Sequence, residues 1–511
     1  MERAVRSPRV RLGRRLLAGV AAALLLPAAA QAARWTVSPS VGASLIWSDN
    51  VELAPPGAEE SDLVGELAPG IVAEADGRRL DLRLAWQGRV RVSSEDSDRN
   101  EVIHRAEARA AAELAPRTFF LDAEASVDQA LVSARARGGV DSIFDGNRTD
   151  VVRYALAPRL ERDWGPVAGR LVLRHEAADF ERGAADTRAD TVTARLGSGR
   201  RPSPLTWSVD YLDSNLDREG GDDSESRVLE GNADWRVGRS LHLLARAGRE
   251  DHELATSRSL ENGTFWSAGF AWTPGRRFSL RALAGENDRE VALRIAPTPR
   301  TSLDLAWRDR DVGLNPAGAW DATLTQRSRR STLRLHYGEE VTSVQRLVLA
   351  GRQAFVLVDP ATGAPVLDPV TGLPVVLFAD VFSLADGEFL RERGDLSWDL
   401  RGARTTLRLG AFGERRTFEL GGEVERARGL TVAVERRLGA RTRGALRASR
   451  VRNEFDDGRE DDTTTGELSI GRESARRLGV SAAYRHQRRD STEAGEDYRE
   501  NRVTVTVTRR F

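Results

Sequence analysis

Apolar and polar side chains alternate strictly along many stretches of this chain. Residues 80–92 read LDLRLAWQGRVRV, with leucine, tryptophan and valine in one phase and mostly charged or amide side chains in the other. The same period of two recurs in residues 205–211, 241–248, 302–308, 332–337, 396–400 and 502–511. Alternate side chains of a β-strand lie on opposite faces. The pattern therefore predicts many strands, each with one apolar and one polar face.

Two kinds of connection alternate between these predicted strands. One kind is short and rich in Gly, Pro and Arg: residues 76–79, 115–117, 164–166, 237–240, 273–277, 401–404 and 438–442. The other is longer and acidic: residues 95–101, 220–226, 456–465 and 491–497. Outer-membrane barrels have short periplasmic turns and longer outer loops. We therefore predict an all-β fold over residues 33–511: a single antiparallel up-and-down transmembrane β-barrel of about 24 strands, within a range of 18–26.

Aromatic side chains gather near the short turns. Seven of them lie within three residues of such a turn: Trp164, Trp207, Trp235, Trp272, Trp398, Phe119 and Phe278. Tryptophan and phenylalanine at strand ends form the interface belts of membrane barrels. This clustering predicts a girdle at the periplasmic rim, whereas the aromatic core of a soluble β-protein would spread the rings along the strands.

The N-terminal 32 residues have the features of a secretory signal peptide. Six arginines precede an apolar run from Leu16 to Leu26, and Ala30-Gln31-Ala32 is a small-x-small cleavage site. The apolar run is too short to span a bilayer. Cleavage near Ala32 would remove six of the 77 basic and one of the 77 acidic residues, leaving 71 and 76. No basic excess remains, so a nucleic-acid partner is not expected.

Composition at first suggests a soluble protein, with 30% charged residues and a mean hydropathy of −0.43. In a barrel only alternate residues meet lipid, so a low mean hydropathy is compatible with membrane insertion. The absence of Cys excludes disulfides, a thiolate nucleophile and a Cys-ligated zinc site. The six histidines show no metal-ligand spacing, and no phosphate-binding or nucleophile-elbow motif occurs. We therefore assign no catalytic residues, no cofactor and no metal.

Charged side chains on the polar phase would face the lumen of the barrel. The candidates are Arg83, Arg89, Arg91, Arg170, Arg174, Arg195, Arg246, Arg308, Arg334, Arg408, Asp81, Asp210, Asp304 and Asp399. Guanidinium groups bind carboxylates and phosphates through a bidentate fork, which indicates contacts with anionic or polyhydroxylated solutes. The alternative is that these charges pair across strands and brace the wall, and the balance of charges favours it. All 77 basic residues are arginine, which can also reflect codon bias.

One segment departs from the regular layout. Residues 344–387 contain a tandem repeat, DPATGAPVL at 359–367 and DPVTGLPVV at 368–376. Asp-Pro-x-Thr-Gly is turn chemistry, with Pro at the first central position and Gly where a positive φ is needed. We predict a long outer loop of stacked turns, folded over or into the outer mouth, with a plain surface hairpin as the alternative.

Contacts with the membrane and its assembly machinery are also expected. A terminal Phe511 on an alternating strand is similar to the signal read by the barrel-insertion machinery, although Arg509 stands where that signal has an apolar residue. The barrel wall implies contact with outer-membrane lipid, and the acidic loops could contact lipopolysaccharide through divalent ions. The expected location is the outer membrane of a Gram-negative bacterium.

Several short motifs resemble one family of outer-membrane proteins. They are WTVSPSVGA at 35–43, SDNV at 48–51, APGI at 68–71, the Asp-Pro-x-Thr-Gly repeat and YRENRV at 498–503 before the final Phe511. The chain resembles the β-barrel proteins associated with PEP-CTERM/exosortase exopolysaccharide systems. This resemblance implies a role in polysaccharide export, with export components as partners, and it brings no catalytic residues.

The leading interpretation is thus a porin-like outer-membrane barrel that serves exopolysaccharide export. A closed structural or docking barrel without transport is the alternative, and a barrel enzyme with Ser, His and Asp on one rim is a third. A TonB-dependent receptor is not expected, because the predicted strands begin at Trp35 and leave no room for a plug domain.

Overall fold

A computed structural model describes residues 33–138, 142–144, 146–182, 185–221, 223–253, 262–313, 318–349, 354–356, 376–379, 388–419, 421–474 and 477–511. The predicted signal peptide lies outside these residues, as does the tandem repeat except for its last residue, Val376.

The described residues are almost entirely β-strand. The first part of the chain forms β1 (Arg34–Ser48), β2 (Asp62–Asp76), β3 (Leu80–Ser93), a 3-10 turn (Ser97–Arg99), β4 (Glu101–Ala115), β5 (Phe119–Leu131), β6 (Arg148–Asp163), β7 (Val167–Phe180), β8 (Thr187–Ser198), β9 (Leu205–Arg218), β10 (Ser224–Arg236), β11 (Leu241–Glu253), β12 (Gly263–Gly275) and β13 (Phe278–Glu286). The rest forms β14 (Arg289–Thr298), β15 (Thr301–Asp309), β16 (Ala319–Arg327), β17 (Ser331–Ser343), α1 (Val344–Leu349), β18 (Ala354–Val356), β19 (Val376–Ala379), β20 (Glu388–Arg401), β21 (Thr405–Phe418), β22 (Val424–Arg437), β23 (Thr442–Glu454), β24 (Glu460–Glu473), β25 (Leu478–Ser491) and β26 (Tyr498–Arg510).

Twenty-four of these strands form one closed antiparallel barrel. Each strand pairs with its neighbours in sequence, β17 pairs with β20, and β26 pairs with β1 to close the cylinder. Closure satisfies the backbone hydrogen bonds of every wall strand, as a bilayer requires of a spanning sheet. The predicted fold class and strand number are confirmed.

The connections at the two ends of the barrel differ as predicted. The turns at one end include residues 77–79, 116–118, 164–166, 276–277 and 402–404, whereas the opposite end carries longer loops at 49–61, 132–147 and 344–387. The acidic segment 456–465 is shorter as a loop than expected, because β24 begins at Glu460 and absorbs its second half. By the architecture of outer-membrane barrels, the short-turn end is the periplasmic end.

The outward phase of the strands is apolar over a broad band. Leu45, Leu430 and Leu468, for example, are more than half exposed, as lipid-facing residues of a barrel are when no lipid is present. Exposed tryptophans ring both edges of this band. Those near the short turns include Trp164, Trp207, Trp235 and Trp272, and those toward the other end include Trp47, Trp266 and Trp320. No described helix has the length and apolar character needed to cross a membrane.

Beyond the band, toward the outer loops, the outward phase becomes charged. Arginines and carboxylates pair there along and across strands: Arg450 with Asp462 at 2.5 Å, Arg488 with Asp490 at 2.6 Å, Arg249 with Asp251 at 2.8 Å and Arg428 with Glu454 at 2.9 Å. The strands are therefore longer than the apolar band, and their outer ends present a charged surface.

Candidate functional site

The lumen is formed by the polar phase of the strands. All fourteen charged residues selected from the sequence lie on this inward phase, opposite in alternation to the exposed leucine, valine and tryptophan side chains. The cross-strand register places Arg83 beside Arg109 and Arg195 beside Asp210, for instance. They are spread around the whole wall, so they do not form a single cluster.

Most of these residues form ion pairs, Arg174 within its own strand and the others with a neighbouring strand. Arg83 pairs with Glu74, Arg91 with Glu66 at 2.9 Å, Arg170 with Glu161 at 3.3 Å, Arg174 with Glu176 at 2.7 Å, Arg195 with Asp210 at 3.2 Å, Arg308 with Glu290 at 3.0 Å, Arg408 with Asp399 at 3.3 Å and Asp304 with Arg294 at 3.2 Å. Arg89, Arg334 and Asp81 make no ion pair with a residue that the structure describes. Wall bracing thus accounts for much of the lumen charge.

The densest pairing lies in the outer half of the wall formed by β10–β15. Arg246 contacts Glu290 at 2.7 Å and Asp288 at 3.4 Å. Arg310 contacts the same Asp288 at 3.1 Å, pairs with Glu250, and lies 3.7 Å from the ring centre of Phe265. Both arginines are buried, and each is matched by several carboxylates. A buried charge of this kind is stable only when it is paired and hydrogen-bonded.

The loop between β5 and β6 spans residues 132–147, and we call it the constriction loop. Its described residues, 132–138, 142–144 and 146–147, fold into the lumen. Asn147 closes its base, because its side-chain amide donates to the carbonyl of Ser133 at 2.8 Å and accepts from the same residue's N–H at 3.0 Å. Farther along, Ile143 packs in a buried cluster with Ile46 of β1 and Val64 of β2. The sequence signal for this burial is the apolar pair Ile143-Phe144 within a polar loop. The inward fold itself was not predicted from the sequence.

Buried polar side chains of the wall hold the constriction loop in place. Arg489 donates to the carbonyls of residues 134–136 at 2.6–3.2 Å and also pairs with Asp461 at 2.7 Å. The hydroxyl of Tyr498 donates to the carbonyl of Gly138 at 2.8 Å, and Arg91 donates to the carbonyl of Ile143 at 2.7 Å. These donors come from β3, β25 and β26, so the loop reaches well into the lumen from its own strands.

An ion-paired contact joins the same loop to another outer loop, the one between β23 and β24. Arg135 pairs with Asp457 and, at 2.5 Å, with Asp456, both in the connection between β23 and β24. A hydrogen bond from the backbone N–H of Arg459 and the Arg135 guanidinium lower the pKa of the Asp457 carboxyl. The carboxylate is therefore favoured in its charged form, which maintains the contact between the two loops.

The two ends of segment 344–387 also lie inside the outer mouth. Helix α1 packs its Val344, Leu347 and Val348 against a buried cluster that includes residues of β5, β6, β7 and β20. At the other end, Glu388 forms an ion pair of 2.5 Å with Arg218 of β9, and both side chains are only 2% exposed. Strands β18 and β19 pair with each other within the segment. Because β9 and β20 are distant in the barrel, this pair bridges the mouth.

A polar chamber occupies the short-turn end of the lumen, bordered by β20–β26 and β1–β3. Its volume is about 1240 Å³, and among the described residues fifteen arginines but four glutamates line it. Hydroxyl side chains, such as Ser44 and Thr506 at 2.9 Å from each other, fill the spaces between the arginines. Of the sequence candidates, Arg89, Arg91 and Arg408 belong to this chamber. We call it the arginine chamber.

A Ser–His–Glu contact lies on the inward phase of β10 and β11. The Ser226 hydroxyl is 2.9 Å from Nδ1 of His252, and Nε2 of that ring is 3.0 Å from the Glu250 carboxylate. All three are buried, and the carboxylate is shared with Arg310. A nucleophile must be reachable by substrate, so the arrangement supports bracing of the wall. No group of three or more residues with metal-ligand chemistry occurs in the part of the chain that the structure describes.

Comparison with known proteins finds similar barrels. Residues 390–511 match the model of the family described as "Putative beta-barrel porin 2". This range covers β20–β26 and thus much of the arginine chamber. Comparison with curated proteins finds no match.

Solved structures of outer-membrane barrels align over most of the chain. The siderophore receptor PirA from Pseudomonas aeruginosa aligns at 10% identity with a TM-score of 0.42, covering 92% of this chain and 80% of its own. The FrpB iron transporter from Neisseria meningitidis aligns at 8% identity with a TM-score of 0.44, covering 93% and 81%. OmpT of Vibrio cholerae, with its loop L8 deleted, aligns at 8% identity with a TM-score of 0.33, covering 94% and 100%. The barrel architecture of this chain and the family match at 390–511 define a porin-like barrel of the outer-membrane type.

Proposed function

We propose that this protein is a porin-like channel of the outer membrane that takes part in the export of an extracellular polysaccharide in an exosortase-type system. The observation that carries the proposal is the arginine chamber, a polar cavity of about 1240 Å³ enclosed by a wall with an apolar exterior. Its mixture of guanidinium and hydroxyl groups suits a hydrated, polyhydroxylated solute. The resemblance of the sequence motifs to exosortase-associated barrels supports the choice of polysaccharide.

In this channel, the constriction loop controls passage between the chamber and the outer mouth. Arg91 lines the chamber and also donates to the carbonyl of Ile143, so the loop borders the chamber on its outer side. Helix α1 and the Arg218–Glu388 pair narrow the mouth further. The conformation described here is therefore a restricted one, and conduction requires the loop to move or the solute to pass beside it.

Planar-bilayer recording tests the channel. The purified full chain is compared with a variant in which residues 133–146 are replaced by a short Gly-Ser linker. We expect a small conductance for the wild type and a conductance several times larger for the variant, because removal of the loop widens the lumen. A matched control shortens the loop at 219–223, which is not part of the constriction. Absence of conductance in the wild type and the loop variant, with both shown to be folded by heat-modifiable migration, would contradict the channel.

Deletion of the gene tests the export role separately. Surface polysaccharide should fall in the deletion strain and return when the wild-type chain is supplied. Unchanged polysaccharide in that strain would contradict the export role while leaving a general channel intact.

A closed structural or docking barrel is the second candidate, and one observation favours it. The constriction loop and α1 occupy the outer part of the lumen. Buried hydrogen bonds hold the loop, and apolar packing holds α1. In planar bilayers, a wild-type barrel of this kind would show neither a steady conductance nor short openings. Increased sensitivity of the deletion strain to detergents, together with silent bilayers, would favour this candidate over the channel.

The proposed location implies a set of partners. Residues 1–32 would be removed on export, and sequencing of the mature N-terminus tests cleavage near Ala32. The charged outward ends of the strands, including Arg450 and Arg488, would contact lipopolysaccharide headgroups. Phe511, exposed at the end of the last strand, would engage the barrel-insertion machinery. Components of the polysaccharide export system would dock at the short-turn end.

A further inference from the structure

The arginine chamber contains far more positive than negative charge, although the whole chain is balanced. Its fifteen arginines and four glutamates contrast with the 77 basic and 77 acidic residues of the full sequence. Charges of one sign in a concave site with low-dielectric walls reinforce one another and raise the local concentration of counter-ions. The short-turn end of the lumen is therefore an attractive site for anions.

Several of these arginines form no ion pair with a described carboxylate of the protein. Arg89, Arg441 and Arg443 line the chamber and make no ion pair with a described residue. Others pair with a single carboxylate, as Arg447 does with Glu467 at 3.2 Å. A guanidinium group presents a planar fork of donors that matches a carboxylate. The chamber thus contains guanidinium groups whose donors are not engaged by a described carboxylate of the protein.

The opposite wall shows that this surplus is a local property of the chamber. In the outer half of β10–β15, Arg246 and Arg310 are buried and surrounded by Asp288 and several glutamates. Those arginines brace the wall. The chamber arginines Arg441 and Arg443 are exposed to the cavity instead, and hydroxyl groups on β1 and β26 lie nearby.

We propose that the arginine chamber is a binding site for a linear acidic polysaccharide whose carboxylates engage the unpaired guanidinium groups. This assignment rests on the proposed export function and specifies the chemical class of its substrate. The saccharide enters from the short-turn end, its carboxylates contact arginines such as Arg89 and Arg443, and its hydroxyl groups contact Ser44 and Thr506. A phosphate polymer presents the same anionic chemistry, so the two sources must be separated by experiment.

Binding is measured by calorimetry on the folded full-length barrel in neutral detergent, with three probes of similar length. These are hexagalacturonate, neutral maltohexaose and linear polyphosphate. We expect hexagalacturonate to bind at least about tenfold more tightly than maltohexaose, and its affinity to fall as salt rises, since exposed charges are screened. Polyphosphate binding with no response to hexagalacturonate would overturn the assignment of a carboxylated saccharide.

A triple variant, R89Q/R441Q/R443Q, tests the site itself. Each exposed ion pair makes only a modest contribution, so loss of three should weaken hexagalacturonate binding by roughly three- to 150-fold. Arg334→Gln is the matched control, because Arg334 is an inward arginine without a described ion pair that lies outside the chamber lining. Equal binding of acidic and neutral hexamers, or equal losses in the triple variant and the control, would overturn the proposal.

The ion selectivity of the channel separates this proposal from the proposed function. A conducting barrel should show a reversal potential that favours chloride over sodium, reduced in the triple variant but not in Arg334→Gln. A conducting barrel without anion preference would overturn the chamber assignment and leave the channel intact. Saccharide binding by a barrel that never conducts would support the chamber and contradict the channel.

Discussion

Removal of Arg489 should weaken the attachment of the constriction loop to the lumen wall. Its side chain is only 4% exposed, donates to three carbonyls of residues 134–136, and pairs with Asp461. The substitution Arg489→Ala deletes all of these contacts at once. The three hydrogen bonds to the loop exist only while the loop is folded inward, whereas the pair with Asp461 joins two wall strands in either conformation. Loss of the hydrogen bonds should therefore destabilise the inward conformation relative to a released one.

The size of this effect follows from the burial of the contact. A hydrogen bond to a charged group contributes about 1.5–3 kcal/mol to stability. The buried Arg489 guanidinium donates to three loop carbonyls through two of its nitrogens, so these bonds together contribute about 3 kcal/mol or more. Each 1.4 kcal/mol is a factor of ten, and about 3 kcal/mol therefore raises the ratio of released to inward loop by roughly 100-fold. The contacts from Tyr498 and Arg91 remain and keep the inward conformation in the majority.

Cysteine labelling measures this shift, because the chain contains no cysteine of its own. Ala134, which is 5% exposed, is replaced by Cys and treated with a membrane-impermeant maleimide. We expect labelling to be about 100-fold faster in the Arg489→Ala background, as the released population controls the rate. Bilayer recordings of the same variant should show more frequent large openings.

Arg488→Ala is the control for this experiment. Arg488 adjoins Arg489 but points outward, where its side chain is 60% exposed and pairs with Asp490. An exposed pair of this kind contributes little to stability, and this one does not touch the loop. Equal labelling rates in the Arg489 and Arg488 variants would refute the reasoning that Arg489 anchors the constriction loop.

Three further predictions concern the wall, the mouth and assembly. Leu468→Arg places a charge on the lipid face near the middle of β24 and should destabilise the barrel by about 2–4 kcal/mol in urea unfolding from vesicles, whereas Ser469→Arg faces the lumen and should have little effect. Arg218→Met leaves the buried Glu388 without its ion-pair partner and should lower the free energy of unfolding by about 3–5 kcal/mol in the same assay. Addition of Glu388→Leu should restore that stability. Deletion of Phe511 should lower the yield of folded barrel in the outer membrane, and an unchanged yield would argue against a role in insertion.

Much of the barrel could be predicted because its signals are local. The alternation in residues 80–92 matches β3, and the Gly- and Arg-rich segment 401–404 matches the turn between β20 and β21. A side chain's phase on a strand is set by its two neighbours in sequence, so Arg83 and Arg308 could be placed on the polar phase without knowledge of the barrel. Strand pairing then followed from short turns, which bring consecutive strands together.

The contents of the lumen could not be predicted in the same way. We expected the long segment at 344–387 to fold over or into the mouth, and of it the structure describes α1 and the two short strands β18 and β19. The inward fold of residues 132–138 was not foreseen, since their partners Arg489 and Tyr498 lie more than 300 residues away in the chain. Contacts of this kind depend on closure of the cylinder, which no local pattern encodes.

The sequence by itself determined the strands, their faces and the end of the barrel at which each turn lies, because a period of two and turn chemistry act over a few residues. Only the tertiary structure decided how the arginines are used. Closure matches Arg246 and Arg310 with carboxylates from neighbouring strands and gathers Arg89, from β3, with Arg443, from β23, around one cavity. A chain that is neutral overall therefore encloses a strongly basic chamber, since charge balance along a sequence does not fix charge balance in space.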